Sequence, residues 1–244
     1  MFTKKSFYVA AALALVLTVI FAVTGTAKAD DRKGGAKARV QTPINLAVLV
    51  QDDLVSRVGN ELEVTREFVR ALPAGSRVMV GYLTSGSLQV RQKFTADLDA
   101  AARALRIPVA SESASPYNPY VEVVEALRHF EAGAQNRNVV LLISDGLDVS
   151  RGFDSASSLD STDLRRAVRE AKKRNASVYT FYAPAVGLTS RNRTASSYGQ
   201  SSLQRLATET GGRAFFQGFD FVTFDAYFVG LGRTLNGQSE TAYE

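Results

Sequence analysis

Acidic side chains follow two apolar runs of the sequence at the points where predicted strands end. Asp52 and Asp53 follow the first run, and Asp145 and Asp148 follow a second run later in the chain. Two carboxylates that lie close together can act as general acid and general base on a glycan or a phosphate ester. A hydrolase that uses a pair such as Asp52 and Asp145 is therefore one interpretation of this pattern.

Nucleophilic catalysis has little support, because the sequence contains no cysteine and a single histidine, His129. His129 lies four residues from Glu125 and seven from Glu122, on the side of a predicted helix opposite its apolar stripe. We expect it to face solvent. A serine nucleophile needs an adjacent base. No Gly-x-Ser-x-Gly, P-loop, His-Glu-x-x-His or Gly-x-Gly-x-x-Gly motif follows a predicted strand. We therefore expect that the protein is not an enzyme.

The elements that must position the acidic residues alternate between short β-type runs and helical patterns, which is typical of a sheet with helices on both faces. The predicted strands span residues 44–50, 77–83, 88–94, 138–144, 177–183 and 213–217, and the predicted helices span 60–72, 96–106, 120–132, 161–174, 202–210 and 222–235. Only the second and third strands are joined by a turn short enough to require antiparallel pairing. The sequence thus predicts a three-layer, Rossmann-like α/β fold with a mostly parallel six-stranded sheet and one antiparallel edge strand.

Ligands of open α/β sheets bind beyond the carboxyl ends of the parallel strands. The loops that begin at Gln51 and Asp145 and the long loop predicted from Pro184 to Gln200 should therefore share one face, where we expect a protein partner to bind. Arg191, Arg193 and Tyr198 in the long loop could contact an acidic partner. A flexible loop without such a role is the alternative.

The N-terminus has the pattern of a secretory signal. Lys4 and Lys5 precede an apolar run at 7–23, and an Ala-x-Ala motif ends immediately before Asp30. We expect a cleaved signal peptide and a periplasmic or secreted protein. The alternative is an uncleaved anchor, which is the one case in which we expect membrane contact. The predicted organisation is a signal peptide at 1–29, a flexible linker at 30–43, a folded domain at 44–236 and a C-terminal tail at 237–244.

The charge balance gives no support for nucleic-acid binding. The net charge of +5 falls to +2 when Lys4, Lys5 and Lys28 leave with the signal peptide, because no acidic residue precedes Asp30. We therefore expect a protein partner and no nucleic acid.

The order of elements, the loop Asp52-Asp53-Leu54-Val55-Ser56 and the segment LLISDGLD at 141–148 make the sequence similar to von Willebrand factor type A (VWA) domains. The segment SLQRLATETGGRAFF at 202–216 and the final helix resemble a bacterial secreted subgroup of that family. The resemblance covers about residues 44–236. It implies a non-enzymatic protein-binding module, with a structural or assembly component of an envelope complex as the alternative.

The resemblance also implies a metal-ion-dependent adhesion site, in which an Asp-x-Ser-x-Ser loop, a Thr and a later Asp hold a divalent cation. The matching residues are Asp52, Ser56 and Asp145, and their hard oxygen atoms suit Mg²⁺. Leu54 stands where the family has its first Ser, and an apolar side chain cannot coordinate a metal.

The remaining positions of the implied site depart further from the pattern. The segment 113–127 contains no Thr, and only Ser115 or Tyr117 stands near the family's Thr position. An alternative register places Gln51, Asp53 and Val55 at the three loop positions. These departures predict a degenerate site that binds Mg²⁺ weakly or not at all, with a working site as the alternative. The predicted binding residues are Asp52, Asp53, Ser56, Ser115, Tyr117, Asp145 and Asp148.

Overall fold

The computed structural model describes residues 40–131, 135–157, 159, 161–216 and 223–240. The predicted signal peptide and residues 30–39 of the predicted linker lie outside these residues. Among the helices of the described part, none is both long enough and apolar enough to span a bilayer.

Helices and strands alternate along the described chain, as the sequence predicts. The strands are β1 (Ile44–Gln51), β2 (Arg77–Thr84), β3 (Ser87–Thr95), β4 (Arg137–Ser144), β5 (Ala176–Tyr182) and β6 (Ala214–Phe215). The helices are α1 (Val58–Arg70), α2 (Leu98–Ala104), α3 (Pro119–Leu127), α4 (Thr162–Lys173), α5 (Leu188–Arg191), α6 (Arg193–Glu209) and α7 (Asp225–Glu240). Short 3₁₀ turns cover Glu112–Ala114 and Phe153–Ser155.

The six strands form one mixed sheet in the order β3-β2-β1-β4-β5-β6. β1 pairs in parallel with both β2 and β4, β4 pairs with β5, and β5 pairs with β6 in the same direction. Only β3 runs antiparallel, against β2 at the edge of the sheet. This topology confirms the predicted fold class and brings the carboxyl ends of β1, β4 and β5 to one edge.

Apolar clusters cover both faces of the sheet, and every residue of β1 is buried as a result. Leu46, Val48 and Val50 belong to one apolar cluster, while Ala47 and Leu49 belong to a second cluster on the opposite face. Alternate residues of a strand point to opposite faces, so a strand covered on both sides reads as a continuous apolar run. This explains why β1 could be located from the sequence.

Aromatic rings fill one side of the core around Phe181 of β5. The rings of Phe215, Phe224, Tyr227 and Phe228 lie 5.0 to 5.4 Å from the Phe181 ring, centroid to centroid, and all four meet it edge to face. This geometry is favoured because the positive edge of one ring faces the negative face of the other. The cluster packs the start of α7 against β5 and β6 of the sheet.

The folded domain extends beyond its predicted limits at both ends. Val40, within the predicted flexible linker, is buried, and the backbone N–H of Gln41 donates to Oδ1 of Asn236 at 3.0 Å. α7 continues to Glu240, past the predicted boundary at residue 236. Polar and glycine-containing composition predicted the linker, but the burial of Val40 and the hydrogen bond from Gln41 to Asn236 attach its last residues to the folded domain.

The loop predicted from Pro184 to Gln200 is wrong from Leu188 onward, because α5 and the first turns of α6 occupy most of it. Asn192 begins α6, and its side chain accepts hydrogen bonds from the backbone N–H groups of Thr194 and Ala195. Ala195 and Gly199 face inward and pack closely against the core and the neighbouring loop. Capping and tertiary packing thus outweigh the weak helix propensity of a Ser-rich segment.

Glu122 of α3 is buried against the β2–β3 turn, where its carboxylate accepts a hydrogen bond from the backbone N–H of Thr84 at 2.8 Å. Burial, together with the nearby charge of Glu125, raises the pKa of Glu122 to about 8. The folded state therefore binds a proton more tightly than the unfolded state. The stability due to this proton is complete below the ordinary pKa of glutamate and is lost as the pH rises through about 8.

We expect the Glu122→Gln variant to be as stable as the unmodified protein at pH 5. At pH 9 we expect it to be more stable by about 1 to 2 kcal/mol, because Gln accepts the Thr84 hydrogen bond without a buried charge. Urea unfolding at both pH values measures this difference. An equal difference at pH 5 and pH 9 would show that Glu122 does not titrate in this range.

Candidate functional site

A cavity of about 390 Å³ lies at the carboxyl ends of β1, β4 and β5. The loops that follow these three strands line it, together with the segment 112–117. Its size is within the range of about 300 to 1,000 Å³ that is usual for ligand cavities. The cavity occupies the face on which the sequence predicted that a partner binds.

Gln51, the last residue of β1, connects two of the loops that line this cavity. Its side-chain oxygen accepts hydrogen bonds from the Ser144 hydroxyl and from the backbone N–H of Asp145, the latter at 3.2 Å. Its side-chain nitrogen donates to Oδ1 of Asp53 at 2.7 Å. Gln51 therefore links Asp53, in the loop after β1, to Asp145, in the loop after β4.

Asp53 and Asp145 are the two carboxylates of the cavity floor, and both are buried. Oδ1 of Asp145 accepts the backbone N–H of Leu147 at 3.1 Å, and Oδ2 accepts the hydroxyl of Thr189 at 2.9 Å. Burial and the negative charge of Asp53 raise the pKa of Asp145 to about 7. Burial also raises the pKa of Asp53, against the opposing effect of hydrogen bonds from Gln51 and Ser115. The negative charges of the two acids therefore repel each other.

Asp52 is buried away from this pair and forms a bidentate ion pair with Arg106. The two terminal nitrogens of the guanidinium lie 2.6 and 2.8 Å from the two carboxylate oxygens, and the N–H of Val109 adds a third hydrogen bond at 3.1 Å. The guanidinium also stacks on the Tyr82 ring, 4.1 Å from its centroid. Both oxygens of Asp52 already have a cationic partner, so Asp52 is poorly placed to hold a metal ion.

Two other residues of the predicted set also lie away from the cavity. Ser56 is exposed, and Asp148 is buried but does not line the cavity. The Asp148 carboxylate accepts hydrogen bonds from the Ser150 and Ser161 hydroxyls at 2.7 and 2.8 Å. Because Ser161 caps the first turn of α4, Asp148 fastens the loop to that helix. Of the predicted metal ligands Asp52, Ser56 and Asp145, only Asp145 lines the cavity.

Ser115 and Tyr117, two of the predicted binding residues, both line the cavity. Ser115 interacts with Asp53 and lowers its pKa. Tyr117 adopts a left-handed backbone conformation, with φ of +54°, and its carbonyl accepts the N–H of Val149 at 2.8 Å. This conformation is uncommon for a residue with a bulky side chain. It places the tyrosine at the mouth of the cavity.

Helix α6 sets the position of Asp145 by direct backbone contact. A methyl group added at Gly199 would lie 1.9 Å from the Asp145 carbonyl oxygen, and one added at Gly146 would lie 2.5 Å from the Gly199 carbonyl oxygen. Gly146 also has a φ of +69°, which glycine adopts without strain. The close approach of these two glycines fixes the start of the loop that carries Asp145.

Asp53, Ser115 and Asp145 line the cavity, and their side-chain oxygen atoms are the candidate ligands of a cation. Hard oxygen ligands of this kind suit Mg²⁺, but two carboxylates and one hydroxyl are few for an ion that prefers octahedral coordination. In the part of the chain that the structure describes, no cluster of three or more Asp, Glu, His or Cys side chains could hold a metal ion.

Three residues of the site were not singled out as binding residues from the sequence. Arg106 and Thr189 lie far along the chain from the acids that they contact, and no local motif marks either of them. Gln51 appeared only as the start of a loop on the predicted binding face and in the alternative register with Asp53 and Val55. The structure places Gln51 and Asp53 at the site, so this register describes the loop better than the one that begins at Asp52.

Solved structures share the fold at low sequence identity. The crystal structure of an aerotolerance-related membrane protein from Bacteroides fragilis matches with a TM-score of 0.56 and 11% identity, over 80% of this chain and 99% of its own. BatB, a conserved hypothetical protein from Bacteroides thetaiotaomicron, also matches with a TM-score of 0.56 and 11% identity, over 81% of this chain and 99% of its own. The VWA domain of SpRpn10 aligns with a TM-score of 0.48 and 12% identity, over 78% of this chain and 94% of its own.

At these identities the comparison concerns the fold alone. No protein-family model matches the sequence, and no curated protein matches it either. Together with the observed strand order, the two structures that match with a TM-score of 0.56 support the implied fold: the chain has a VWA-like α/β domain.

Proposed function

We propose that this chain is an exported, non-enzymatic VWA-like module that binds a protein partner at the cavity of Asp53 and Asp145. The observation that carries the proposal is the combination of two buried carboxylates on the cavity floor with exposed apolar side chains at its mouth. Tyr117 is 56% exposed and Leu188 is 46% exposed, and both line the cavity. Exposed apolar groups around a concave polar site are typical of binding surfaces.

The test is affinity capture from envelope extracts, with and without a chelator. We expect the full-length chain to retain a specific partner, and the Tyr117→Ala variant to lose it. Val121→Ala is the matched control, because Val121 is also exposed and apolar but does not line the cavity. Equal capture by both variants would show that the partner binds elsewhere.

We also propose that the metal site is degenerate, because Gln51 and Val55 replace two of the ligand positions and Arg106 neutralises Asp52. Affinity for Mg²⁺ no better than roughly millimolar would add about 1 to 1.5 kcal/mol of stability at about 10 mM Mg²⁺. A domain of this size should then gain only a few degrees in melting temperature.

Thermal melts in EDTA and in Mg²⁺ measure this gain for the unmodified chain and for Asp145→Ala and Asp52→Asn. We expect the small gain to disappear in Asp145→Ala and to persist in Asp52→Asn. A gain of more than about 10 °C that vanishes in Asp145→Ala would instead indicate a working adhesion site.

Export rests on the N-terminal sequence pattern. N-terminal sequencing of the protein recovered outside the cytoplasm should give a mature chain that begins at Asp30. Recovery of an intact N-terminus in the membrane fraction would support the uncleaved anchor.

A hydrolase is the second candidate function, and the observation that favours it is the raised pKa of Asp145 beside Asp53. A raised pKa is what a general acid requires near neutral pH, but buried structural acids have it as well. We expect no turnover of chromogenic glycosides or phosphate esters that depends on Asp145. Turnover that is lost in the Asp145→Asn variant would show that the protein is an enzyme and would contradict the proposed non-enzymatic module.

A further inference from the structure

Among the residues that the structure describes, the two floor carboxylates of the cavity have no cationic partner. Within the described residues, no Lys or Arg forms an ion pair with Asp53 or Asp145, whereas their neighbour Asp52 has a bidentate partner in Arg106. The hydrogen bonds that Asp53 and Asp145 accept come from neutral groups: amide N–H groups and hydroxyls. Two buried carboxylates held in this way are costly to keep ionised, so a cation that pairs with both of them is favoured.

Much of the cavity lining is apolar. Tyr117 and Leu188 stand at the mouth, and Leu147, Val149 and Val186 line the wall. A polar small ligand or a hydrated ion would leave these side chains without a contact. A long side chain with an aliphatic stem would pack against them while its charged end reaches the floor.

The rim adds no net charge to the floor. Glu112 and Arg191 both line the cavity and both are exposed, so their opposite charges offset each other. The charge that a ligand meets inside the cavity is therefore that of Asp53 and Asp145. Tyr117 adds an aromatic face at the mouth, which favours a cation over an anion.

From this geometry we infer that the cavity receives a Lys or Arg side chain from an exposed segment of the protein partner. The aliphatic stem contacts the apolar wall, and the ammonium or guanidinium group binds between Asp53 and Asp145. This inference rests on the proposed function and specifies the chemistry of the partner. The partner's cation would take the place that a metal ion occupies in a complete adhesion site.

Fluorescently labelled, end-capped Gly/Ser peptides that contain a single Lys, Arg, norleucine or Glu test this inference by fluorescence anisotropy with the full-length chain. We expect the Lys or Arg peptide to bind, and the norleucine and Glu peptides to bind at least about tenfold more weakly, because a charge-assisted pair is lost. Asp53→Asn and Asp145→Asn should each weaken binding of the cationic peptide about tenfold. Asp52→Asn, which removes the same charge one residue away, should change it less than about twofold.

Three results would overturn the inference: equal binding of the norleucine peptide, equal loss in Asp52→Asn and Asp53→Asn, or binding of the Glu peptide only when Mg²⁺ is present. The last of these would mean that a metal ion bridges an acidic ligand. If Tyr117→Ala abolishes partner capture but no cationic peptide binds, the proposed function stands and the inference about the partner's chemistry fails.

Discussion

Replacing Gly199 with alanine should lower the free energy of unfolding by about 3 kcal/mol or more. The added methyl group would lie 1.9 Å from the Asp145 carbonyl oxygen, which is a backbone atom that cannot turn away as a side chain does. Helix α6 must therefore move away from the loop after β4. The same movement displaces Asp145, so partner binding should be lost as well. Urea denaturation followed by circular dichroism measures the change.

Gly237→Ala is the matched control, because Gly237 lies in helix α7 and a methyl group there meets no atom within 4 Å. Alanine has the higher helix propensity, so this variant should be unchanged or more stable by up to about 1 kcal/mol. If Gly199→Ala behaved like Gly237→Ala, the close contact between α6 and the Asp145 loop would not exist.

Replacing Arg106 with alanine should cost about 2 to 4 kcal/mol, because it leaves the buried carboxylate of Asp52 without a cation. The guanidinium is partly exposed, so we expect less than the full cost of breaking a deeply buried pair. The variant also loses the stacking of Arg106 on Tyr82. The free energy of unfolding at pH 7 and about 0.15 M salt is the relevant measurement, since salt screens such a pair only weakly when it is buried.

Two further variants separate the charge of Arg106 from its geometry. Arg106→Lys keeps the charge but cannot form the bidentate pair, so it should recover only part of the loss. The double variant Arg106→Ala, Asp52→Asn should be more stable than Arg106→Ala alone, because the unpaired buried charge is gone. A cost below about 0.5 kcal/mol for Arg106→Ala would show that Asp52 is solvated and available to bind a ligand.

The fold was predictable from the sequence because its strongest signals are local. β1 and β4 are continuous apolar runs, and the four-residue connection between the predicted second and third strands required the antiparallel edge that β3 forms. The helical segment after Pro184 was missed because its serines carry little propensity. Its helical structure depends on the cap at Asn192 and on packing against residues that are distant in the sequence. A local sequence pattern does not show that packing.

The site was predictable only in part, for a reason that lies in β1 itself. Every residue of β1 is buried, so the strand shows no alternation that would tell which of Asp52 and Asp53 points toward Asp145. The ion pair with Arg106, which lies 54 positions further along the chain, determines that Asp52 is the acid that is paired within the chain. Non-local ion pairs of this kind leave no trace in the spacing of a loop.

The departures from the adhesion-site pattern are consistent with one another under the proposed function. Gln51 replaces a charge with a neutral hydrogen-bonding group, and Arg106 neutralises Asp52 from within the chain. The carboxylates of Asp53 and Asp145, at the floor of a cavity with apolar walls, have no cationic partner among the described residues. A partner that brings its own cation would complete such a site.

The most direct test of the binding face is photo-crosslinking in intact cells, with a photoreactive amino acid introduced in place of Leu188 or of Val121. The two side chains are equally exposed, at 46%, but only Leu188 lines the cavity. We predict a discrete crosslinked product from position 188 that disappears in the Asp145→Asn background, and no such product from position 121. The same product from both positions, or a product at 188 that is unaffected by Asp145→Asn, would contradict the assignment of partner binding to this cavity.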